Sequence, residues 1–253
     1  MKKVLLQGRQ VSKVFVQGQI KNTVLDKIDV DIYEKDFTII MGSSGAGKST
    51  LLYALSGMDA VTEGTVTYKG KEISRLKEKQ MAKLRAEEFG FVFQQTHLVS
   101  NLTLYENVAV AGFVSKKGST EEIRARANEL LTQMGIAKAA NRLPSQVSGG
   151  EAQRGAIARA MIGRPGLLFA DEPTGALNRS HTEEVLNLFT ALHDLGQSIL
   201  MVTHDLKAAV RGNRILYLED GKVMAELTLP HYQAAEERQR ENKLRDWLSK
   251  LQW

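Results

Sequence analysis

Short, continuously apolar runs separated by longer amphipathic stretches set the predicted elements of this chain. Phe37-Thr38-Ile39-Ile40-Met41 has the length and composition of a strand buried on both faces, as in a parallel sheet. Leu167–Ala170 and Ser198–Thr203 repeat that pattern, and the segment between them predicts a helix over 180–195. Residues 4–41 read as strands and turns, and Val24–Ile32 ends in the apolar–charged alternation of a half-exposed strand. Residues 64–73 predict an antiparallel hairpin arm, 76–88 a charged helix and Phe89–Gln94 a further strand. From about 102 to 163 the pattern is helical, with few β-branched residues. Strands alternating with helices predict an α/β fold with a mainly parallel sheet, to which the arm adds an antiparallel element. The helical stretch reads as an inserted lobe of about 96–163 within one domain over 1–230, whose core comprises about 1–95 and 164–230.

The tail, 231–253, has a different pattern. Leu244, Trp247, Leu248 and Leu251 fall on one face of an amphipathic helix. Glu236, Glu237, Arg238, Arg240, Glu241, Lys243, Arg245, Asp246 and Lys250 surround that face. The mixed signs argue against a helix lying on a membrane, and leave packing on its own domain or docking on a partner.

Composition narrows the class. With 253 residues, 43% hydrophobic and 25% charged, the chain has ordinary globular composition and ample length for a core. It contains no cysteine, which excludes disulfides and thiolate metal sites. No run approaches the roughly 18 apolar residues of a membrane-spanning helix. The start, Met1-Lys2-Lys3-Val4-Leu5-Leu6, is interrupted by Gln7, Gly8, Arg9 and Gln10 before the apolar stretch of a secretory signal is reached, so the expected compartment is the cytosol. The net charge of +5 suits anionic partners or a solvated lysine-rich surface, and forms no block that decides between them.

The chemistry-bearing residues cluster at the ends of the apolar runs. Gly42-Ser43-Ser44-Gly45-Ala46-Gly47-Lys48-Ser49-Thr50 follows a strand and enters a helix predicted over Ser49–Gly57, the G-x-x-x-x-G-K-[ST] phosphate loop in its required context. Glycines let successive N–H groups turn toward phosphates, the helix start adds a positive end, Lys48 adds charge and Ser49 an oxygen for Mg²⁺. Leu167–Ala170 runs into Asp171-Glu172-Pro173. Adjacent side chains at a strand end point apart, so Asp171 can serve the metal shell and Glu172 an attacking water. Ser148-Gly149-Gly150-Glu151 is a second anion-binding helix start, with Ser148 as N-cap and no following lysine.

Val147-Ser148-Gly149-Gly150-Glu151-Ala152-Gln153-Arg154 resembles the ABC signature, and with the two motifs above it identifies the chain as similar to the ABC ATPases. The resemblance implies a P-loop NTPase of ABC type that hydrolyses ATP with Mg²⁺ in a head-to-tail homodimer, in which the signature of one copy serves the ATP of the other. It also implies roles for Phe15 (stacking on adenine), Gln94 (reaching Mg²⁺ and water and sensing the transport partner) and His204 (contacting the γ-phosphate). Read without the resemblance, the same three residues are a core phenylalanine, a surface glutamine and a structural histidine. Two departures stand out: Val147 and Glu151 replace leucine and glutamine in the signature, and Asn178 closes Gly175-Ala176-Leu177-Asn178 where the family has aspartate. An active enzyme is still expected, with slower or more strongly coupled hydrolysis.

Leu55–Asp59, Lys79–Arg85 and Gly90–Gln95 continuing to Leu102–Val108 resemble the branch containing macrolide exporters, lipoprotein-release ATPases and bacitracin-type peptide-resistance transporters. That resemblance implies a subunit peripheral to the cytoplasmic face of the cell membrane. Its partner would be a permease with a large extracytoplasmic domain, exporting or transmitting force on a peptide, lipoprotein or antimicrobial substrate. Alternatives are a permease-bound ATPase regulating cell-envelope or cell-division machinery, and a soluble ABC ATPase acting on nucleic acid or ribosomes. The single phosphate loop and the lack of a long heptad run disfavour the last, so no nucleic acid is expected as partner.

Overall fold

Two long strands open the chain, β1 (Val4–Gln17) and β2 (Ile20–Tyr33), paired antiparallel. The structure is a computed structural model and describes residues 2–251 and 253; Met1 and Gln252, at the outer edges of the regions predicted over 1–230 and 231–253, lie outside the described residues. The described residues form two compact units, one made of the residues up to Met81 and those from Gly196 onward, the other of Ala82–Leu195.

The first unit holds two sheets. β1 and β2 join β4 (Glu63–Tyr68) and β5 (Lys71–Glu72) in the antiparallel order β2-β1-β4-β5, the expected arm. Along β2, Leu25, Ile28, Val30 and Ile32 turn inward between more exposed neighbours, as the alternation predicts. In the second sheet, β3 (Phe37–Gly42) pairs parallel with β8 (Ser198–Val202) on one side and β9 (Arg214–Glu219) on the other. Every residue of β3 and β8 is buried, the reason both read as unbroken apolar runs. β10 (Lys222–Thr228) returns antiparallel beside β9. This hairpin has no counterpart among the predicted elements, although Asp220-Gly221 marks it: both residues have positive φ, 46° and 72°, as a tight hairpin turn requires. The helices of this unit are α1 (Lys48–Leu55), the single turn α7 (Leu206–Ala209) and α8 (Glu237–Ser249). α2 (Glu78–Glu88) forms over the predicted charged helix.

The second unit contains a parallel strand pair, β6 (Phe89–Phe93) and β7 (Leu167–Asp171), with α3 (Leu104–Ser115), α4 (Thr120–Gln133), α5 (Gly149–Met161) and α6 (Arg179–Asp194). Aromatic packing reinforces the pair: the Phe91 ring stacks on Phe169 at 5.4 Å and Phe89 meets Phe169 edge-on at 5.1 Å. α3, α4 and α5 all begin with a reciprocal capping box, Thr103 with Glu106, Ser119 with Glu122 and Ser148 with Glu151. As a packing unit, Ala82–Leu195 is larger than the helical stretch 96–163, because β6, β7 and α6 share its interior.

Within the tail, α8 runs over Glu237–Ser249 and packs within the first unit. Leu244 and Leu248 are buried, and the Trp247 ring meets Tyr217 of β9 edge-on at 6.4 Å. Arg240 departs from the charged surround expected for it: it is 4% exposed, because its guanidinium hydrogen-bonds to the carbonyls of Val210, Gly212 and Pro230. Among the described residues no helix is long and apolar enough to cross a membrane.

Candidate functional site

The phosphate loop lies between β3 and α1 in the first unit. Gly42 closes β3 opposite Leu218 with φ 153°; a Cβ there would sit 2.0 Å from the Leu218 carbonyl oxygen. Gly47 caps α1 in the left-handed conformation (φ 96°), with the carbonyl of Val24 only 2.8 Å from where a Cβ would lie. Between them Ser43, Ser44 and Gly45 are exposed, and Ala46 is pinned by its N–H to the Ser43 carbonyl and by its own carbonyl to the Gly221 N–H. Lys48 arches back over the loop, its Nζ donating to the carbonyls of Gly42 (3.0 Å) and Ser43 (2.7 Å). Ser49 and Thr50 are half-buried in the first turn of α1. An exposed curled backbone, a helix N-terminus and an ammonium group on one loop suit a polyphosphate.

His204 belongs to the same unit and edge. Ile40 lies opposite Val202 in the parallel register, so Gly42 and His204, each two residues on, leave adjacent strands about 4.8 Å apart at their C-terminal ends. The His204 side chain is exposed; its backbone is held because the Thr203 N–H bonds to the Ile40 carbonyl and the Asp205 N–H to Thr203 Oγ1. Phe15, on β1, is 47% exposed, which removes the reading as a core phenylalanine. Lys13 Nζ lies 5.0 Å from the centre of its ring and is fixed by Asp59 at 2.6 Å.

The second unit carries the carboxylates and the signature. Phe93 pairs with Asp171, so Gln94 and Glu172 leave β6 and β7 side by side at their C-terminal ends. Asp171 is buried at the end of β7, and Glu172 takes a left-handed backbone (φ 48°). That conformation is uncommon for a residue with a side chain and concentrates at functional positions. Here it turns the chain so that the Gly175 N–H reaches the Glu172 carbonyl at 3.0 Å. The Gln94 side chain lies across Gly175, where a Cβ would be 2.9 Å from its Nε2. Ser49, Asp171 and Gln94 offer only oxygen as metal-ligating atoms, the donor chemistry Mg²⁺ takes.

At the signature, Ser148 caps α5. Its Oγ accepts the Glu151 N–H at 3.2 Å, while Glu151 Oε2 accepts from the Ser148 N–H at 2.8 Å and from its hydroxyl at 2.9 Å. The backbone N–H of Ser148, then its hydroxyl, hold the Glu151 carboxyl below its ordinary range. Glu151 therefore fills the N3 position of the cap, which glutamate and glutamine both satisfy. Gly149 is exposed and Gly150 buried; a Cβ on Gly150 would lie 2.6 Å from the His181 ring. Asn178 caps α6, its Oδ1 accepting the His181 N–H at 3.0 Å. Asparagine and aspartate cap equally well, which accounts structurally for the lost charge.

Gln153, inside the signature-like stretch, and Arg159, beyond it, have no role marked in the sequence. Gln153, 1% exposed on α5, donates to the Phe93 carbonyl just before Gln94 (2.9 Å). Arg159, two turns further along, donates to the carbonyls of Thr96 and His97 just after it. The signature helix thus grips both ends of the Gln94 loop. The sequence signal for this is a glutamine and two arginines on a helix otherwise rich in alanine and glycine.

Comparison with known proteins agrees with these observations. A family model described as ABC transporter matches residues 25–175. The post-hydrolysis dimeric structure of the ATP-binding cassette MJ0796 bound to ADP and Pi is 37% identical, with a TM-score of 0.83 over 90% of this chain and 100% of that one. A second dimeric structure of MJ0796, described as a bacterial ABC transporter cassette, is 38% identical, with a TM-score of 0.84 over the same shares. CbiO1 of Clostridium perfringens, part of the ABC transporter complex CbiONQ, is 26% identical, with a TM-score of 0.80 over 96% of this chain and 93% of that one. The chain belongs to the ABC transporter family and is an ABC ATPase with that family's P-loop NTPase fold.

Proposed function

We propose that this ABC ATPase is the ATP-binding subunit of a transporter and works as a head-to-tail pair of identical copies. The observation that carries this reading is the presence of two separate anion-binding helix starts, one at Gly47 with Lys48 and one at Ser148 without a lysine. A phosphate loop sufficient for one nucleotide leaves the second helix start to serve the nucleotide of another copy. The similar MJ0796 cassette being a dimer bound to ADP and Pi supports the same arrangement.

In this reading Phe15 stacks on adenine, and the loop Gly42–Thr50 wraps the phosphates. Lys48 and His204 of one copy, with Ser148, Gly149, Gly150 and Glu151 of the other, surround the γ-phosphate. Glu172 orients the attacking water and takes its proton, and Gln94 positions that water. Ser49, Gln94 and Asp171 would hold Mg²⁺, which would supply positive charge to offset charge developing on the phosphates. Tighter binding of ATP than of ADP to the closed pair is the source of mechanical work.

The work is applied to an integral permease, at which the subunit sits peripherally on the cytoplasmic face. CbiO1 belonging to a transporter complex supports a membrane partner. The three branch-like stretches favour a permease with a large extracytoplasmic domain and a role in export or force transmission on a peptide, lipoprotein or antimicrobial substrate. Co-purification of tagged protein from mild-detergent extracts, read by mass spectrometry, tests this. A stoichiometric permease of that architecture is the expected result. Capture of only soluble partners, ribosomes or DNA would overturn the transport role and leave the ATPase standing.

A further inference from the structure

The switch segment that carries His204 is held from behind by the C-terminal helix. His204 is followed at once by α7, a single turn whose Ala208 and Ala209 are completely buried. At its start, the Asp205 side chain accepts the Lys207 N–H at 2.9 Å, and Thr203 is tied to β3. A four-residue helix cannot hold itself together, since nucleation alone outweighs its few hydrogen bonds. Its far end therefore needs an external support.

Arg240 of α8 supplies that support. Its Nε donates to the carbonyl of Val210, the C-cap of α7, at 2.9 Å, and Nη2 to the carbonyl of Gly212 at 2.7 Å. Nη1 reaches the carbonyl of Pro230 at 2.8 Å, locking the connection into the tail. A planar guanidinium with donors in a fixed fork can hold several carbonyls at once, and its charge complements a helix C-terminus. The group is enclosed by its neighbours: the Tyr232 ring lies 5.4 Å from the Arg240 guanidinium and 4.5 Å from that of Arg211, and Arg211 pairs with Glu237 of α8. Leu244 and Leu248, buried on the same helix, fix α8 itself.

We infer that Arg240 is a positioning residue for His204, and that the C-terminal helix is a built-in brace keeping the switch segment at the angle turnover requires. The inference rests on the proposed role of His204 at the γ-phosphate. An arginine that served only to bury the tail would affect folding stability alone; a brace affects turnover through the segment it holds.

The test compares purified full-length wild type, Arg240→Ala, Arg240→Lys and His204→Ala. The measurements are kcat and KM for ATP, thermal midpoint, and amide hydrogen exchange across 203–212. Arg240→Ala is expected to lower kcat about tenfold, keep KM within about twofold and raise exchange selectively in 203–212. Arg240→Lys, with charge and stem but a single donor centre, should fall between. If Arg240→Ala does not accumulate as folded protein, Arg240→Lys carries the same comparison. Folded Arg240 variants with wild-type kcat, or a kcat loss without added exchange in 203–212, overturn the inference. Wild-type turnover by His204→Ala would instead overturn the role given to His204, which separates the two failures.

Discussion

At the scale of single residues, two departures from the ABC motif pattern, Glu151 and Asn178, have a local physical account in helix capping. Asn178 caps α6 as well as an aspartate would. Asn178→Ala should therefore lower stability by about 1 kcal/mol, and Asn178→Asp by no more than a few tenths, measured by urea unfolding. Gly150 is restricted by a neighbour of its own chain, the His181 ring 2.6 Å from where a Cβ would lie. Gly150→Ala should destabilise by about 1–3 kcal/mol through overpacking, and adding His181→Ala should recover much of it. Additive losses in that double-mutant cycle would mean that the ring is not the obstacle. Phe15 is exposed, against its reading as a core phenylalanine; Gln94 is exposed, as the reading as a surface glutamine also has it, and lies beside Glu172 at the strand ends.

At the scale of elements, the signature helix holds two motif segments together. Its start is held by the Ser148–Glu151 box, and its body grips the Gln94 loop through Gln153 and Arg159. Glu151 has its carboxyl lowered from the ordinary 4.5 by the Ser148 N–H and hydroxyl. A lowered folded value means the stabilisation is complete above the unfolded value and is lost as pH falls through the folded one. Protection of the first turn of α5, measured against the intrinsic exchange rate at each pH, should therefore fall in acid below about pH 4.5 in the wild type. The glutamine variant Glu151→Gln keeps the box and should show protection that does not change with pH there. Gln153→Leu leaves the Phe93 carbonyl without its donor and should cost about 1–3 kcal/mol, with raised exchange over residues 94–97. Unchanged exchange in that loop would mean the grip is not what orders it.

At the scale of the whole molecule, the motif-bearing residues are divided between the two compact units. The first contributes the phosphate loop, Phe15 and His204, and the second the carboxylates, Gln94 and the signature. If Glu172 is the base, Glu172→Gln should retain ATP binding, lose roughly 10²–10⁴-fold in kcat and elute as a dimer with MgATP. Wild-type protein with ADP should elute as a monomer. Wild-type turnover by the variant would remove Glu172 from that role, and a monomer with MgATP would remove the sandwich.

The parallel strands, the phosphate loop, the paired carboxylates and the start of the signature helix were all legible in the chain before it folded. They depend on local rules: an apolar run needs burial, a left-handed turn needs glycine, and a helix start needs a cap. Asp220-Gly221 carried the same kind of signal for the β9–β10 hairpin, legible in the dipeptide once its flanks are taken as strands. Folding alone brought Arg240 into the interior, laid His181 over Gly150, and set Gln153 and Arg159 against the Gln94 loop. Those contacts join residues far apart in the chain, and their acceptors are mostly backbone carbonyls. Every residue carries a carbonyl, so sequence holds no mark of which ones a buried donor will find; only the packing of the elements selects them.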